Sequence, residues 1–596
     1  MKFLSASALA ATLSTGVLAL TPAEWRTQTI YQVMTDRFAR NDGSTTYLCQ
    51  THVQKYCGGT WRGIIDKLDY IQGLGATAVW ISPFVKNIQG SSMDGESYHG
   101  YWAQDIYQVN PSFGTPDDLK DLSDALHARG MYLMADVVTN HMGWFGPPNT
   151  TDYSIYRPFH NASAYHVPPC WINYDDQDTV ERCWQGSNEA SLPDLRTEDP
   201  HIRKVFNAWI HRMVRRYGFD GLRLDSAKHV EKSFWPGFEA SAGVFAIGEV
   251  FHGDPAYVVP YQDFMSGVMN LPVYYWVTQA FQSTTGSIWN LANGVKTLAS
   301  TARDLTLWGG FLESHDQPRF LSHTSDKTLL KNALTFTLLM DGIPIIYQGL
   351  EQGYTGGGTP LNREALWLSG YNTESELYRW IQKLIGLRSA MIAQDRGYVF
   401  YKALPIYTDD HIIAMRKGFD GSQVVSVYSN VGGNRTFGVA LGQEETGFRP
   451  CKLIMEITKC RPFVTDSSGV LRAESGSGGP LVFVPAERVM GTGICPGGIG
   501  KPPPPRPPSR ARHSNPPPSA TTSIAFESTV FNLALIGRFN NMTSSCLASP
   551  PQCLNSTDSS TNDTTATNCT LPVTVDKKKH SDKHSERHRL RHKLRH

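Results

Sequence analysis

After its first twenty residues, the 596-residue chain has no apolar run of the roughly 18–20 residues needed to cross a bilayer. It also lacks the apolar C-terminal tail of a GPI signal. Net charge is equally scarce: 55 Lys and Arg stand against 54 Asp and Glu, a formal +1. The body therefore offers no global field for nucleic acid. The imbalance that exists is local, since residues 576–596 carry nine Lys/Arg and only three Asp/Glu. No transmembrane segment and no nucleic-acid partner are expected, and a monomer is.

What is present points to secretion. Lys2 precedes an apolar stretch over residues 3–20, and Val17-Leu18-Ala19 offers a small-residue cleavage site, so residues 1–19 read as a signal peptide. The ten cysteines become disulfide candidates in that compartment. Cys49/Cys57 and Cys170/Cys183 are close pairs and Cys460/Cys495 is a plausible third. Cys451, Cys546, Cys553 and Cys569 stay unassigned. Sequons at Asn149, Asn161, Asn434, Asn541, Asn555, Asn562 and Asn568 fit the same route. The expected location is extracellular or wall-associated.

The length exceeds a single compact core. From residue 29 to about 388, apolar strands alternate with amphipathic helices. Strands are expected at 30–34, 78–81, 132–138, 221–225, 244–249, 309–312 and 343–347. Helices are expected at 63–74, 116–127 (behind Thr115, with Pro116 at the first turn) and 201–217. Such alternation builds a parallel sheet under helices, and the number of units favours a closed (β/α)₈ TIM barrel, assigned to residues 20–396. A long connection, 142–199, forms an inserted domain within it. Short β-like runs over 397–496 suggest a C-terminal antiparallel β-sandwich. Residues 497–519 form a Pro-rich linker, and 520–596 a disordered Ser/Thr/Asn-rich then basic tail. His580, His584, His588, His592 and His596 fall four apart; a solvated basic tail is the preferred reading, with a soft-metal face left open.

Three acids close apolar runs. Asp225 follows Gly221-Leu222-Arg223-Leu224, Glu249 follows Val244-Phe245-Ala246-Ile247-Gly248, and Asp316 follows Phe311-Leu312-Glu313-Ser314-His315. A buried acid is costly unless it is paired, and the C-terminal strand ends of a barrel are where chemistry sits. One shared site follows. The segments Asp136-Val137-Val138-Thr139-Asn140-His141, Gly221 through His229, Gly248-Glu249-Val250 and Phe311 through Asp316 resemble the four signature segments of the α-amylase family, glycoside hydrolase family 13. The likeness continues through Trp25-Arg26-Thr27-Gln28-Thr29-Ile30-Tyr31, Tyr98-His99-Gly100-Tyr101-Trp102 and Asp341-Gly342-Ile343-Pro344-Ile345-Ile346-Tyr347. It spans residues 20–495 and is nearest to the secreted fungal members.

The resemblance implies a retaining hydrolase of starch-like α-1,4-glucans or maltooligosaccharides. It makes Asp225 the nucleophile, Glu249 the acid/base and Asp316 the acid that holds a distorted sugar. Arg223, on the strand face of Asp225, would keep that nucleophile ionised. Neighbouring carboxylates would keep Glu249 protonated. Tyr101 would stack on the sugar, with His99, Trp102, His141 and His315 beside it. Lys228, His229 and Gly253 fall on the acceptor side and Arg363 on the donor side. A Ca²⁺ ion is implied on Asn140, Glu181, Asp194 and the His229 carbonyl, all hard oxygen donors.

The chain also departs from the pattern. Phe251 and His252 stand where a smaller residue and an acid are usual, Thr359 replaces an acid that pairs with Arg363, and Val259 replaces a disulfide cysteine. These changes motivate a 4-α-glucanotransferase as the alternative to hydrolysis. A binding protein with a dead barrel is opposed by the intact acids.

Overall fold

The computed structural model describes residues 20–495. The expected leader, linker and tail, with Cys546, Cys553, Cys569 and four of the sequons, lie outside the described residues.

Eight parallel strands form one sheet: β1 (Ile30–Val33), β2 (Ala78–Ile81), β3 (Tyr132–Val137), β4 (Gly221–Leu224), β5 (Phe245–Gly248), β6 (Gly267–Val268), β7 (Gly309–Phe311) and β8 (Ile343–Tyr347). Their order is β6-β5-β4-β3-β2-β1-β8-β7. A parallel bridge between Met269 and Gly309 joins the two ends, with Asn270 N donating to Gly309 O at 2.8 Å, and the sheet closes into a (β/α)₈ barrel. Seven strands match the sequence reading to within two residues. β6 was not expected, because two residues are too few to carry a periodic pattern.

The strands are nearly continuous apolar runs because both faces are covered. Ile30, Trp80, Met134, Phe245, Ile247, Phe311, Ile343 and Ile345 fill the barrel interior. Trp25 seals its N-terminal end, stacked on Phe245 at 5.5 Å and donating Nε1–H to Asp220 O. The outward faces pack on helices. Thr115 and Asp118 form a capping box on the helix Pro116–Ala128. The helix Pro200–Tyr217 ends at Gly218, which adopts the left-handed conformation (φ 68°) that a residue without Cβ takes readily. The single helix expected over 63–74 is instead two, Trp61–Asp66 and Leu68–Leu74, divided at Lys67. The first half packs on Pro116–Ala128 and the second on Glu376–Gln394, so each answers to a different neighbour.

Between β3 and the helix Pro200–Tyr217, the inserted segment holds a three-stranded antiparallel sheet (Trp144–Phe145, Ala190–Leu192, Gln185–Gly186) and a short helix, Gln177–Arg182. The C-terminal region is antiparallel throughout. Six strands between Leu404 and Pro485 make one sheet, and the pair Phe437–Leu441 and Leu471–Ser475 makes another, enclosing Val425, Val427, Leu441, Leu471 and Phe483. A buried ion pair, Lys417 Nζ to Asp341 Oδ1 at 2.5 Å, fastens this region to the barrel. Disulfides join Cys49 to Cys57, Cys170 to Cys183 and Cys460 to Cys495. Cys451 is disulfide-bonded as well.

Candidate active site

The closing residues of β4, β5 and β7 converge on one cluster. Arg223, in β4, is almost fully buried, with 1 % of its surface exposed. Its Nη1 donates to Asp225 Oδ1 at 2.6 Å and to both oxygens of Asp136 at 3.0 and 3.1 Å. Its Nη2 lies 2.6 Å from Glu249 Oε1, though not aligned as a hydrogen bond. Ser226 completes the link: its hydroxyl donates to Asp225 Oδ2 at 2.8 Å and its N–H to Glu249 Oε2 at 3.1 Å. It reaches both by adopting a left-handed backbone (φ 51°), which is uncommon for a residue with a side chain. One guanidinium thus faces three carboxylates.

That imbalance governs protonation. Burial pushes the Glu249 carboxyl up to about 8; Arg223 opposes this, and the negative Asp225 and Asp316 add to it. The expectation that neighbouring carboxylates keep Glu249 protonated is thereby reordered, with desolvation the larger cause. Burial also raises Asp136 to about 7, with Arg223 opposing. Asp316 behaves oppositely. Burial resists its charge, yet the His315 ring and Arg363, whose Nη2 lies 3.2 Å away, hold its carboxyl below the usual range. Burial also drives His315 down to about 4 and lowers His141 and His99, so these rings are neutral near pH 7.

Above the cluster opens a cleft of about 550 Å³. His99, Tyr101, Trp102, His141, Lys228, His229, His315 and Arg363 line it with the three acids, while Arg223 and Asp136 lie beneath. The Tyr101 hydroxyl donates to Asp136 Oδ2 at 2.8 Å, and its ring is parallel to His315 at 5.3 Å. Lys228 Nζ donates to the Phe251 carbonyl and sits 4.6 Å over the Tyr174 ring. Gly253 is not part of the lining; it packs against Tyr275.

Comparison with known proteins identifies the family. The family described as "Alpha amylase, catalytic domain" matches residues 32–375, and "Alpha-amylase, domain C" matches 405–500. Alpha-amylase 2 of Schwanniomyces occidentalis is 48% identical over 79% of this chain and 93% of its own length. The chain belongs to the α-amylase family.

The alpha-amylase of Saccharomycopsis fibuligera is 47% identical, over 78% of this chain and 92% of that one. The solved alpha-amylase of Malbranchea cinnamomea has a TM-score of 0.77 at 47% identity, covering 80% of this chain and all of that one.

Family membership raises the question of a metal. Among the described residues, no group of three or more His, Cys, Asp or Glu is placed to hold an ion. The expected donors are oxygens of mixed type. Asp194 is buried; its Oδ2 lies 2.7 Å from His166 Nδ1, while its Oδ1 has no hydrogen-bond partner. Asn140 lies alongside, through the His141–Asp194 bridge and Leu195 N donating to Asn140 O. Glu181, on the helix Gln177–Arg182, is brought near His229 because His229 Nδ1 lies 3.0 Å from the Val180 carbonyl. An orphaned carboxylate oxygen beside amide and carbonyl oxygens is chemistry that suits a hard cation.

Several residues of the site escaped the sequence reading. Asp136 lay within a quoted segment, and its inward position on a buried strand was the available signal. Gln54, Asp94, Gln185, Ser187 and Leu192 also line the cleft. Asp94 Oδ2 accepts from Ser187 Oγ at 2.5 Å, joining the loop after β2 to the inserted sheet. Such a contact between remote loops leaves no periodic trace.

Proposed function

We propose that the protein is a secreted, retaining endo-hydrolase of α-1,4-glucans such as starch and glycogen. The observation that carries the mechanism is the tether of Asp225 and Glu249 to opposite nitrogens of Arg223. A shared guanidinium suits the close carboxyl pair of a retaining enzyme, about 5–5.5 Å apart, better than an inverting pair about 6.5–9.5 Å apart. Glu249, protonated near neutral pH, gives its proton to the glycosidic oxygen as Asp225 attacks the anomeric carbon. The C–O bond breaks and a glycosyl ester forms on Asp225. Glu249, now a carboxylate, takes a proton from water as that water attacks the ester, freeing the sugar and restoring both groups. Asp316, ionised beside Arg363, accepts from sugar hydroxyls and favours the flattened ring. Tyr101, His141 and His315 support the ring beside it.

Asn140, Glu181, Asp194 and the His229 carbonyl are the residues that would hold Ca²⁺. When bound, the ion supplies positive charge that keeps Asp194 ionised and cross-links the inserted segment to the loop after β4. Three disulfides in the body, together with the sequons and the leader-like start, support passage through an oxidising secretory route. The glucanotransferase alternative is not favoured, because relatives 47–48% identical to this chain carry α-amylase names, whereas the glucanotransferases that share its fold are only 22–24% identical.

Incubation with maltoheptaose, resolved over time, tests the reading. Products no longer than the substrate are expected. Oligomers longer than seven units would overturn hydrolysis as the main outcome, and no turnover with calcium present would overturn the enzyme reading.

A further inference from the structure

Outside the cleft, the inserted segment carries a second cavity, of about 220 Å³. Pro147, Pro148 and Pro169 line it, with Trp171, Asn188 and the sequon residue Asn149. Trp171 stands out because 57 % of its surface is exposed, whereas Trp184, bridged to it across the fold, is buried. Its exposure does not come from a loose backbone. Cys170, the preceding residue, is bonded to Cys183, and Trp184 N donates to Cys170 O at 3.0 Å. A large aromatic face is therefore held rigidly open beside prolines, with an amide side chain at the rim.

Asn149 is itself exposed, and no hydrogen bond among the described residues ties down its side chain. At the sequon Asn161, by contrast, the side chain accepts from Ser163 N at 3.1 Å. We infer that Asn149 is N-glycosylated and that its first N-acetylglucosamine is seated in this cavity against the face of Trp171. The sugar's apolar ring face matches the indole, and its polar groups meet Asn188 and solvent. In the modification, the Asn149 amide nitrogen bonds to the anomeric carbon of a lipid-pyrophosphate-linked oligosaccharide. The C–O bond to the pyrophosphate breaks, the lipid pyrophosphate leaves, and the nitrogen loses one proton. The seated sugar joins three separate pieces of the inserted segment: the turn at 147–150, the strand-like stretch at 169–171 and the hairpin tip at 188. The far side of that hairpin, Gln185 and Ser187, lines the cleft.

The inference rests on the secretory reading, and its readout does not depend on catalysis. The full chain, expressed in a glycosylating host, is mapped by peptide mass spectrometry for occupancy at Asn149, Asn161 and Asn434. The rate of Trp171 oxidation by N-bromosuccinimide is then followed, with the exposed Trp289 as internal reference. The expected result is an occupied Asn149 and Trp171 oxidised severalfold more slowly than in N149Q or T151A, while Trp289 is unchanged. Trimming the glycan to its single core sugar with an endoglycosidase should leave that protection intact. An unmodified Asn149 beside occupied Asn161 and Asn434 would overturn the site. Equal Trp171 rates with and without the glycan, or protection lost on trimming, would overturn the seat. If all three asparagines are bare, the secretory reading fails with it.

Discussion

Two buried charge clusters in this molecule differ in their arithmetic. Beneath the cleft, one cation, Arg223, faces Asp136, Asp225 and Glu249. At the junction with the C-terminal region, one cation, Lys417, faces one acid, Asp341. There the remaining bonds go to backbone, with Lys417 Nζ donating to Tyr401 O and Ala403 N donating to Asp341 Oδ2. Burial lowers the Lys417 pKa, and its Asp341 partner acts in the opposite direction. The balanced pair needs no mobile proton. The unbalanced cluster cannot ionise every acid at once, and its surplus is stored as a proton on a carboxyl facing the cleft. Excess charge marks chemistry, and neutralised charge marks a fastening.

The sharpest way to break this contrast is Glu249→Gln, which keeps the shape but removes the transferable proton. Turnover of maltoheptaose should fall by about 10²- to 10⁴-fold, while the substrate still binds, as calorimetry would report. Near-full activity would refute the assigned role. At the junction the expected loss is in stability. Lys417→Met leaves Asp341 buried and unpaired and should cost about 3–5 kcal/mol of unfolding free energy, with much of it restored by the double replacement K417M/D341L. Denaturant titration measures this, and kcat of the folded fraction should not change.

Asp194 tests an intermediate case, a buried acid with one unmatched oxygen. Chelation of calcium should lower Tm; where the free ion had stood at about 100 times its Kd, the loss corresponds to about 2.7 kcal/mol. An unchanged melting curve would remove the ion from the account. A final effect concerns protons. Folding raises Glu249 from an ordinary 4.5 to about 8 and Asp136 from 3.8 to about 7. The folded state therefore binds more protons than the unfolded chain between roughly pH 4 and 8, and stability should decline as pH rises through that window. Glu249→Gln should flatten the slope measured by denaturant midpoints, whereas the double replacement K417M/D341L, which removes both buried charges at the junction, should leave it unchanged.

Much of this was legible in the sequence, for reasons of scale. Apolar runs such as Ile343 to Tyr347 announce buried parallel strands, and acids placed directly after them announce a site. Asp225, Glu249 and Asp316 needed only local reading. Pairing across distance did not show: nothing near Asp341 names Lys417, and nothing near Asp94 names Ser187. Gly253 was placed on the acceptor side by the family resemblance, but it sits half-buried against Tyr275, outside the cleft lining. Lys67 divides a helix because its two halves pack on separate neighbours, which no local propensity encodes.

The ring of strands has a consequence for how the protein comes to exist. β1 lies between β2 and β8, with Ile30 paired to both Ala78 and Ile345. One of its edges can be satisfied soon after it is made; the other must wait for residues translated far later. At synthesis rates of about 5–20 residues per second, that interval lasts on the order of tens of seconds. Throughout it the nascent sheet carries an open edge of backbone donors and acceptors. The cell must therefore shelter a half-built cylinder until its last strand arrives.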